Sequence, residues 1–239
     1  MSTGTRIRGT YVEDGIVYPD DDGIEWGHTS WQTDWIVRLY GNLTWMYSKD
    51  PQAVVIARMN WYPVRGECKV YRTPNVMVVF GRSKCFRGSY IQWAEDNIPP
   101  QVVFEILPPE ITAKELARML KFYEEHGVEE YYVHDPHAEK LSVWIRDGSR
   151  LLEVPASPTF VSPRMGIRFE SSPEHGLRVY TSEGRVFQTL AEFERDAKIL
   201  REQIARSNLI ADDHGGKAGN GEPEGGNGDS SRGQKPDDA

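Results

Sequence analysis

Apolar residues change their spacing several times along the chain, and each change predicts an element. Between Thr29 and Tyr47, Trp31, Trp35, Leu39, Leu43 and Met46 recur at three- and four-residue intervals. That is the repeat of one helix face, with Ser30 or Thr33 placed to cap its start. Strand-like runs follow at 53–57, 59–62 and 76–80, with Pro63-Val64-Arg65-Gly66 as a turn. The stretch 81–100 is polar and reads as loop. Residues 101–107 are almost wholly apolar and end at Pro108-Pro109, which predicts a central strand buried on both faces. A helix is expected over 110–126, with Leu116, Met119, Leu120 and Tyr123 on one face and Gly127 at its C-cap. Strands are then expected at 130–134, 141–145 and 151–154, turned by Asp135-Pro136 and Asp147-Gly148, and again at 166–169, 177–180 and 186–190. A charged helix over 190–210 closes the pattern.

This patterning divides the chain into a loosely ordered N-terminal segment (1–25), a folded domain (26–190), a charged C-terminal helix (191–211) and a tail (212–239). The tail is acidic and Gly-rich with almost no apolar residue, so disorder is expected there. It also changes the reading of charge. The formal net charge is −8, and the tail holds seven acids against three bases, so about half of the excess lies outside the domain. The domain is still mildly acidic, which disfavours tight non-specific nucleic-acid binding but leaves room for a local basic strip. Cys68 and Cys85 are the only cysteines. They lack metal-ligand spacing and read as reduced, partly buried thiols, which fits a cytoplasmic protein. No apolar run approaches the length of a membrane span or a signal sequence.

One residue stands out on physical grounds. Glu105 lies inside Val102-Val103-Phe104-Glu105-Ile106-Leu107, and an unpaired carboxylate in a core costs several kcal/mol. It needs a metal, a basic partner or a proton, unless it sits at an exposed strand end. Magnesium-dependent nucleases hold their metal with carboxylates from neighbouring strands, beside a lysine that orients or activates water. The strand opened by Pro74 would supply the neighbouring carboxylate at the next position.

Several blocks in order carry a wider resemblance. They are Pro74-Asn75-Val76-Met77-Val78-Val79-Phe80-Gly81, Arg87-Gly88-Ser89-Tyr90, Ile98-Pro99-Pro100 through Leu107, Phe122-Tyr123 through Tyr132 with Asp135-Pro136, and Val161-Ser162-Pro163-Arg164-Met165-Gly166-Ile167. Over about residues 28–190 the chain resembles the Uma family, classed as restriction endonucleases of the PD-(D/E)xK kind. The resemblance implies an α/β, restriction-endonuclease-like mixed central sheet flanked by helices, to which the pattern adds β-hairpins and a C-terminal helix. It also implies Mg²⁺- or Mn²⁺-dependent cleavage of DNA phosphodiesters, with Glu105 and the residue after Pro74 as metal ligands.

Carried over residue by residue, the site is uneven. Glu105 matches. Asn75 stands at the Asp position, keeping an oxygen but not the charge that Mg²⁺ favours. Met119 stands at the lysine position, and a thioether neither stabilises charge nor bonds water usefully. It also falls on the helix's apolar face, as a packing residue would. The family's acidic residue near the first helix aligns loosely with His28 or Ser30. Lys121 points about 200° away from Met119, which leaves Lys114 or Arg118 as displaced substitutes. Losing both groups costs several orders of magnitude in rate, so hydrolysis is expected to be weak or lost, and without hydrolysis no metal is required. The alternatives are an active nuclease with a displaced base and a non-catalytic DNA-binding or protein-interaction module, in which the C-terminal helix could pair two copies. His126, His134 and His137 read as surface histidines. Arg82, Lys84 and Arg87 form a loop that either touches phosphate or is simply solvated. There is no P-loop and no dinucleotide fingerprint.

Overall fold

Val54, Ile56, Met77, Val79, Val103, Tyr131 and Val133 alternate along four strands with Val76, Val78, Val102, Phe104 and Tyr132, and both sets are buried. A sheet that is apolar on both faces must be covered on both. The computed structural model, which describes residues 4–7, 10–20 and 29–215, shows how. In chain order the elements are β1 (Thr5–Ile7), β2 (Thr10–Glu13), β3 (Ile16–Pro19), α1 (Ser30–Met46), β4 (Ala53–Ala57), β5 (Trp61–Tyr62), β6 (Val76–Phe80) and β7 (Tyr90–Ile91). They continue with β8 (Val102–Ile106), α2 (Ala113–Glu125), β9 (Glu130–Asp135), β10 (Lys140–Asp147), β11 (Arg150–Glu153), β12 (Thr159–Val161), β13 (Arg168–Ser172), β14 (Gly176–Tyr180) and α3 (Leu190–Gly215). The chain divides into two units, Met1–Phe193 and Glu194–Ala239.

The first unit is built on a six-stranded mixed sheet in the order β11-β10-β9-β8-β6-β4. Only β8 and β9 run parallel, joined through α2, while the other pairs are antiparallel. On one face, Ile36, Leu39 and Leu43 of α1 pack with Phe169, Leu177 and Val179 of the β12-β13-β14 sheet. On the other face, Leu116, Met119, Leu120, Phe122 and Tyr123 of α2 close a second cluster. The start of α2 is fixed by a capping box between Thr112 and Glu115, in which each side chain satisfies a backbone donor the first turn leaves open. In the second unit the described chain continues α3.

Several boundaries differ from the sequence reading. α1 is capped by Thr29, whose hydroxyl accepts from Gln32 N–H, and its inward face is Gln32, Ile36, Leu39, Asn42 and Leu43, leaving Trp31 60% exposed. Two polar residues hide this face from a count of apolar spacing. Part of the segment read as loose is a β1-β2-β3 meander whose Tyr18 packs with Tyr62 and Ile91. The run at 186–190 is not a strand and makes only a single bridge from Val186 to Tyr180. The loop 81–100 contains β7 and a 3-10 turn at Gln92–Ala94. α3 extends to Gly215, and residues 216–239 of the expected tail lie outside the described residues.

Candidate active site

The β6-β8 register pairs Val76 with Phe104, so the next position places Asn75 opposite Glu105. The β4-β6 register pairs Ala57 with Val76, which sets Arg58 opposite Asn75. The Arg58 N–H donates to the carbonyls of Pro74 and Asn75 at 3.1 and 3.3 Å. Asn75 bonds Glu105 on the face that α2 covers, and Arg58, just past β4 with a left-handed φ of 50°, brings its charge to the same carboxyl, so the three form a row across the strand ends.

Glu105 is 6% exposed. One carboxylate oxygen receives the hydroxyl of Tyr123, and the other accepts the Asn75 N–H at 3.3 Å. Burial pushes this carboxyl up to about 7, against the opposing pull of the Tyr123 and Asn75 hydrogen bonds and the charges of Arg72 and Arg58. Burial and the Glu105 carboxylate hold the Tyr123 hydroxyl well above its ordinary pKa. Arg72 is anchored by a bridge to Trp61, with N–H···O distances of 2.8 and 3.2 Å. Trp61 in turn stacks on Tyr123 at 6.2 Å. The Tyr131 hydroxyl is buried beside this group with no hydrogen-bond partner among the described residues.

Asn75 does more than mark a strand end. Its side-chain oxygen accepts the backbone N–H of Ile106 at 2.6 Å, and the Gln32 amide donates to the Ile106 carbonyl at 2.7 Å. Both backbone groups of Ile106 are therefore held by side chains, one from β6's leading edge and one from α1. Met119 lies half-buried in the cluster with Leu116, Leu120 and Tyr123. Lys114, Arg118 and Lys121 are exposed, and Lys121 faces Glu125 at 3.6 Å.

These donors do not suit a divalent cation. The Asn75 oxygen and both Glu105 oxygens already accept hydrogen bonds, burial raises the pKa of the carboxyl, and two arginine charges reach it. Hard cations require charged, available oxygens. Among the described residues no three His, Cys, Asp or Glu side chains gather to hold a metal ion.

Sequence reasoning brought Glu105 and Asn75 together but missed Arg58, Arg72, Gln32 and the Tyr123 hydroxyl. Arg58 follows the last residue of β4 in a left-handed conformation, which the alternation of Val54 and Ile56 does not forecast. Arg72 follows an irregular stretch and gave no periodic signal. The loop cations are otherwise engaged. Arg82 and Arg87 bond Glu95 at 2.8 and 2.7 Å, and Lys84 donates to the carbonyls of Tyr47 and Ser48 at 2.6 and 3.0 Å. His134 is not on the surface. It is 5% exposed against Trp35, and burial lowers it to about 4. Ser30 opens α1 as an exposed residue, while His28 lies outside the described residues. Cys68 and Cys85 are free thiols, with Cys85 exposed rather than partly buried. No helix among the described residues is long and apolar enough to cross a membrane.

No curated protein matches the chain. Among solved structures it is similar to a protein from Anabaena variabilis ATCC 29413 described as "a putative nuclease belonging to DUF820". That match has 13% identity and a TM-score of 0.43, and it covers 63% of this chain and 78% of the other. The profile of the Uma2 family, described as "Putative restriction endonuclease", matches residues 13–179, a span that takes in the six-stranded sheet, α1, α2 and the Asn75–Glu105 row; the chain belongs to the Uma2 family.

Proposed function

We propose that this protein binds the phosphodiester backbone of DNA at the Arg58–Asn75–Glu105 row, and that metal-dependent hydrolysis there is weak or lost. One observation carries the reading: the two positions that depart from the family pattern have been absorbed into structure. Asn75 spends its oxygen on Ile106 N–H, and Met119 packs in the apolar cluster under α2. Meanwhile Arg58 and Arg72 bring positive charge to a carboxyl whose pKa burial raises to about 7. An ordinary site of this kind needs a metal to join two acidic groups to a phosphate. A row whose acid is raised by burial, with the charges of Arg58 and Arg72 beside it, attracts phosphate without one, and guanidinium geometry suits phosphate oxygens. DNA as the ligand rests on family membership.

The test combines cleavage with binding. Wild type, Glu105→Ala and the double variant Asn75→Asp with Met119→Lys are assayed on duplex DNA with Mg²⁺ and with Mn²⁺, and binding is followed by fluorescence anisotropy across a salt series. The expected result is binding that persists in EDTA and weakens with salt, negligible cleavage by wild type, and metal-dependent cleavage by the double variant. Wild-type cleavage at rates ordinary for a restriction endonuclease, abolished by Glu105→Ala, would overturn the loss of activity. Absence of salt-sensitive DNA binding would overturn the site's proposed ligand.

A further inference from the structure

The His134 ring, buried toward the end of β9, carries an acceptor that no described residue uses. Its Nδ1 lies 3.3 Å from the Lys140 carbonyl. A carbonyl only accepts, so Nδ1 holds the proton and Nε2 keeps a lone pair. That Nε2 has no hydrogen-bond partner among the described residues, and the buried Nε of Arg38 on α1 has none either. Both residues line one cavity of about 260 Å³ between α1, the β9–β10 turn and the β13–β14 turn. Pockets for drug-sized ligands hold about 300–1,000 Å³, so this one suits a single ring system. Trp31, 60% exposed, forms part of its wall and offers the flat face on which a base stacks. Glu139 joins the wall from the β9–β10 turn with a φ of 50°. That left-handed conformation favours glycine, yet the turn keeps a residue that brings a carboxylate to the cavity.

Arg38, His175 and Leu177 also line a second cavity of about 530 Å³, which runs on to Arg178 and Glu192. Together the two spaces make a cleft with an aromatic end and a cationic end. At the aromatic end Asp34, Glu139 and His134 Nε2 accept, while Arg38 Nε donates. Guanine is the base whose edge answers that excess of acceptors, because its N1–H and N2 amine donate beside the O6 acceptor. At the cationic end the Arg38 and Arg178 guanidinium groups suit a phosphate. The Glu192 carboxylate there is committed to the Thr189 cap, accepting its N–H at 2.7 Å. We propose that this cleft binds a guanine nucleotide, with the base against Trp31 and the phosphate toward Arg38 and Arg178. His134 pairs with Ile106, whose side chain belongs to the α1 cluster. The cleft therefore lies on the α1 face, and the proposal stands apart from the DNA site on the α2 face.

The test is calorimetric titration of the full chain with dGMP, dTMP, deoxyguanosine and glucose 6-phosphate, with circular dichroism to check that each variant folds. dGMP is expected to bind about 10-fold or more tightly than dTMP. Trp31→Ala should weaken dGMP about 10-fold, the scale of one base stack. Arg178→Gln should weaken dGMP by a similar factor, as loss of a charged hydrogen bond does, and leave deoxyguanosine unaffected. Glu139→Gly, which relieves the turn, should weaken dGMP while raising the urea midpoint. Oligothymidylate carrying one central deoxyguanosine distinguishes the two sources of the nucleotide. Tighter binding than dGMP assigns the cleft to a strand, and weaker binding assigns it to the free nucleotide. No binding of dGMP at millimolar concentration, equal affinity for dGMP and dTMP, glucose 6-phosphate binding as tightly as dGMP, or indifference to Trp31→Ala would each overturn the proposal. None of these outcomes depends on duplex DNA binding at the Glu105 row.

Discussion

The side-chain oxygen of Asn75 accepts the Ile106 backbone N–H at 2.6 Å in a buried setting, extending the β6–β8 connection one position beyond its last paired residues. Removing the acceptor strands a buried donor, which costs about 1–3 kcal/mol. Asn75→Ala is expected to lower the urea midpoint by that amount with an unchanged m value. Asn75→Asp keeps an acceptor but sets a second carboxylate beside Glu105, so its stability should match wild type only at acidic pH. A midpoint for Asn75→Ala within a few tenths of a kcal/mol of wild type would show that the bond contributes nothing.

Glu105 and His134 predict opposite responses to pH over nearly the same window. Glu105 is raised in the fold from 4.5 to about 7, so its contribution is full below the lower value and is lost as pH rises through the upper. His134 is depressed from 6.5 to about 4, so its contribution is present above the upper value and is lost as pH falls toward the lower. Each effect is at most on the order of 3 kcal/mol, and their slopes oppose one another between about 4.5 and 6.5. Wild type should therefore be nearly flat there in chemical denaturation. Glu105→Gln should make stability rise with pH, and His134→Phe should make it fall. Parallel slopes in the two variants would refute the assignment.

The contrast between these two residues shows what the sequence made legible. Glu105 announced itself because a carboxylate interrupted an apolar run, and the long runs around it marked β8, β6 and α2 within a few residues. His134 sits at the end of a strand beside a turn, where polar residues are ordinary, and its burial comes from Trp35, about a hundred positions away. The inward face of α1 was obscured for a related reason. Gln32 and Asn42 are buried because their amides bond Ile106 and Gln188 backbone, and such long-range bonds leave no trace in hydrophobic spacing. The β1-β2-β3 meander was missed because its strands are three or four residues long, too short for a periodic signal.

Glu130 offers a prediction away from the proposed DNA site. It is 2% exposed and accepts from Tyr132 hydroxyl at 2.7 Å, Ser162 hydroxyl at 2.5 Å and Arg164 N–H at 2.6 Å. The Ser162-Pro163-Arg164-Met165 turn is thereby fastened to the first residue of β9. Glu130→Ala leaves three donors unmet and should cost about 3 kcal/mol or more, with faster proteolysis at that turn. Glu130→Gln, which keeps one acceptor oxygen, should lose less. Equal losses in the two variants would mean that packing, not the acceptors, holds the turn.

Arg87 separates a structural loop from a phosphate-binding one. Its guanidinium grips Glu95 through two bonds of 2.7 and 3.1 Å and also donates to Ser83 carbonyl at 2.9 Å, with its side chain 4% exposed. Its charge is therefore committed inward, and removing it leaves Glu95 largely buried and under-compensated. Arg87→Ala should cost about 3 kcal/mol or more in stability while leaving the salt dependence of DNA binding unchanged. Arg72→Gln should do the reverse, sparing most of the stability and reducing the slope of log K against log salt by about 1, the signature of one lost phosphate contact. If Arg87→Ala instead flattened the salt slope and Arg72→Gln did not, the phosphate would lie over the loop after β6, and the row at Glu105 would be no more than a fastening between strands.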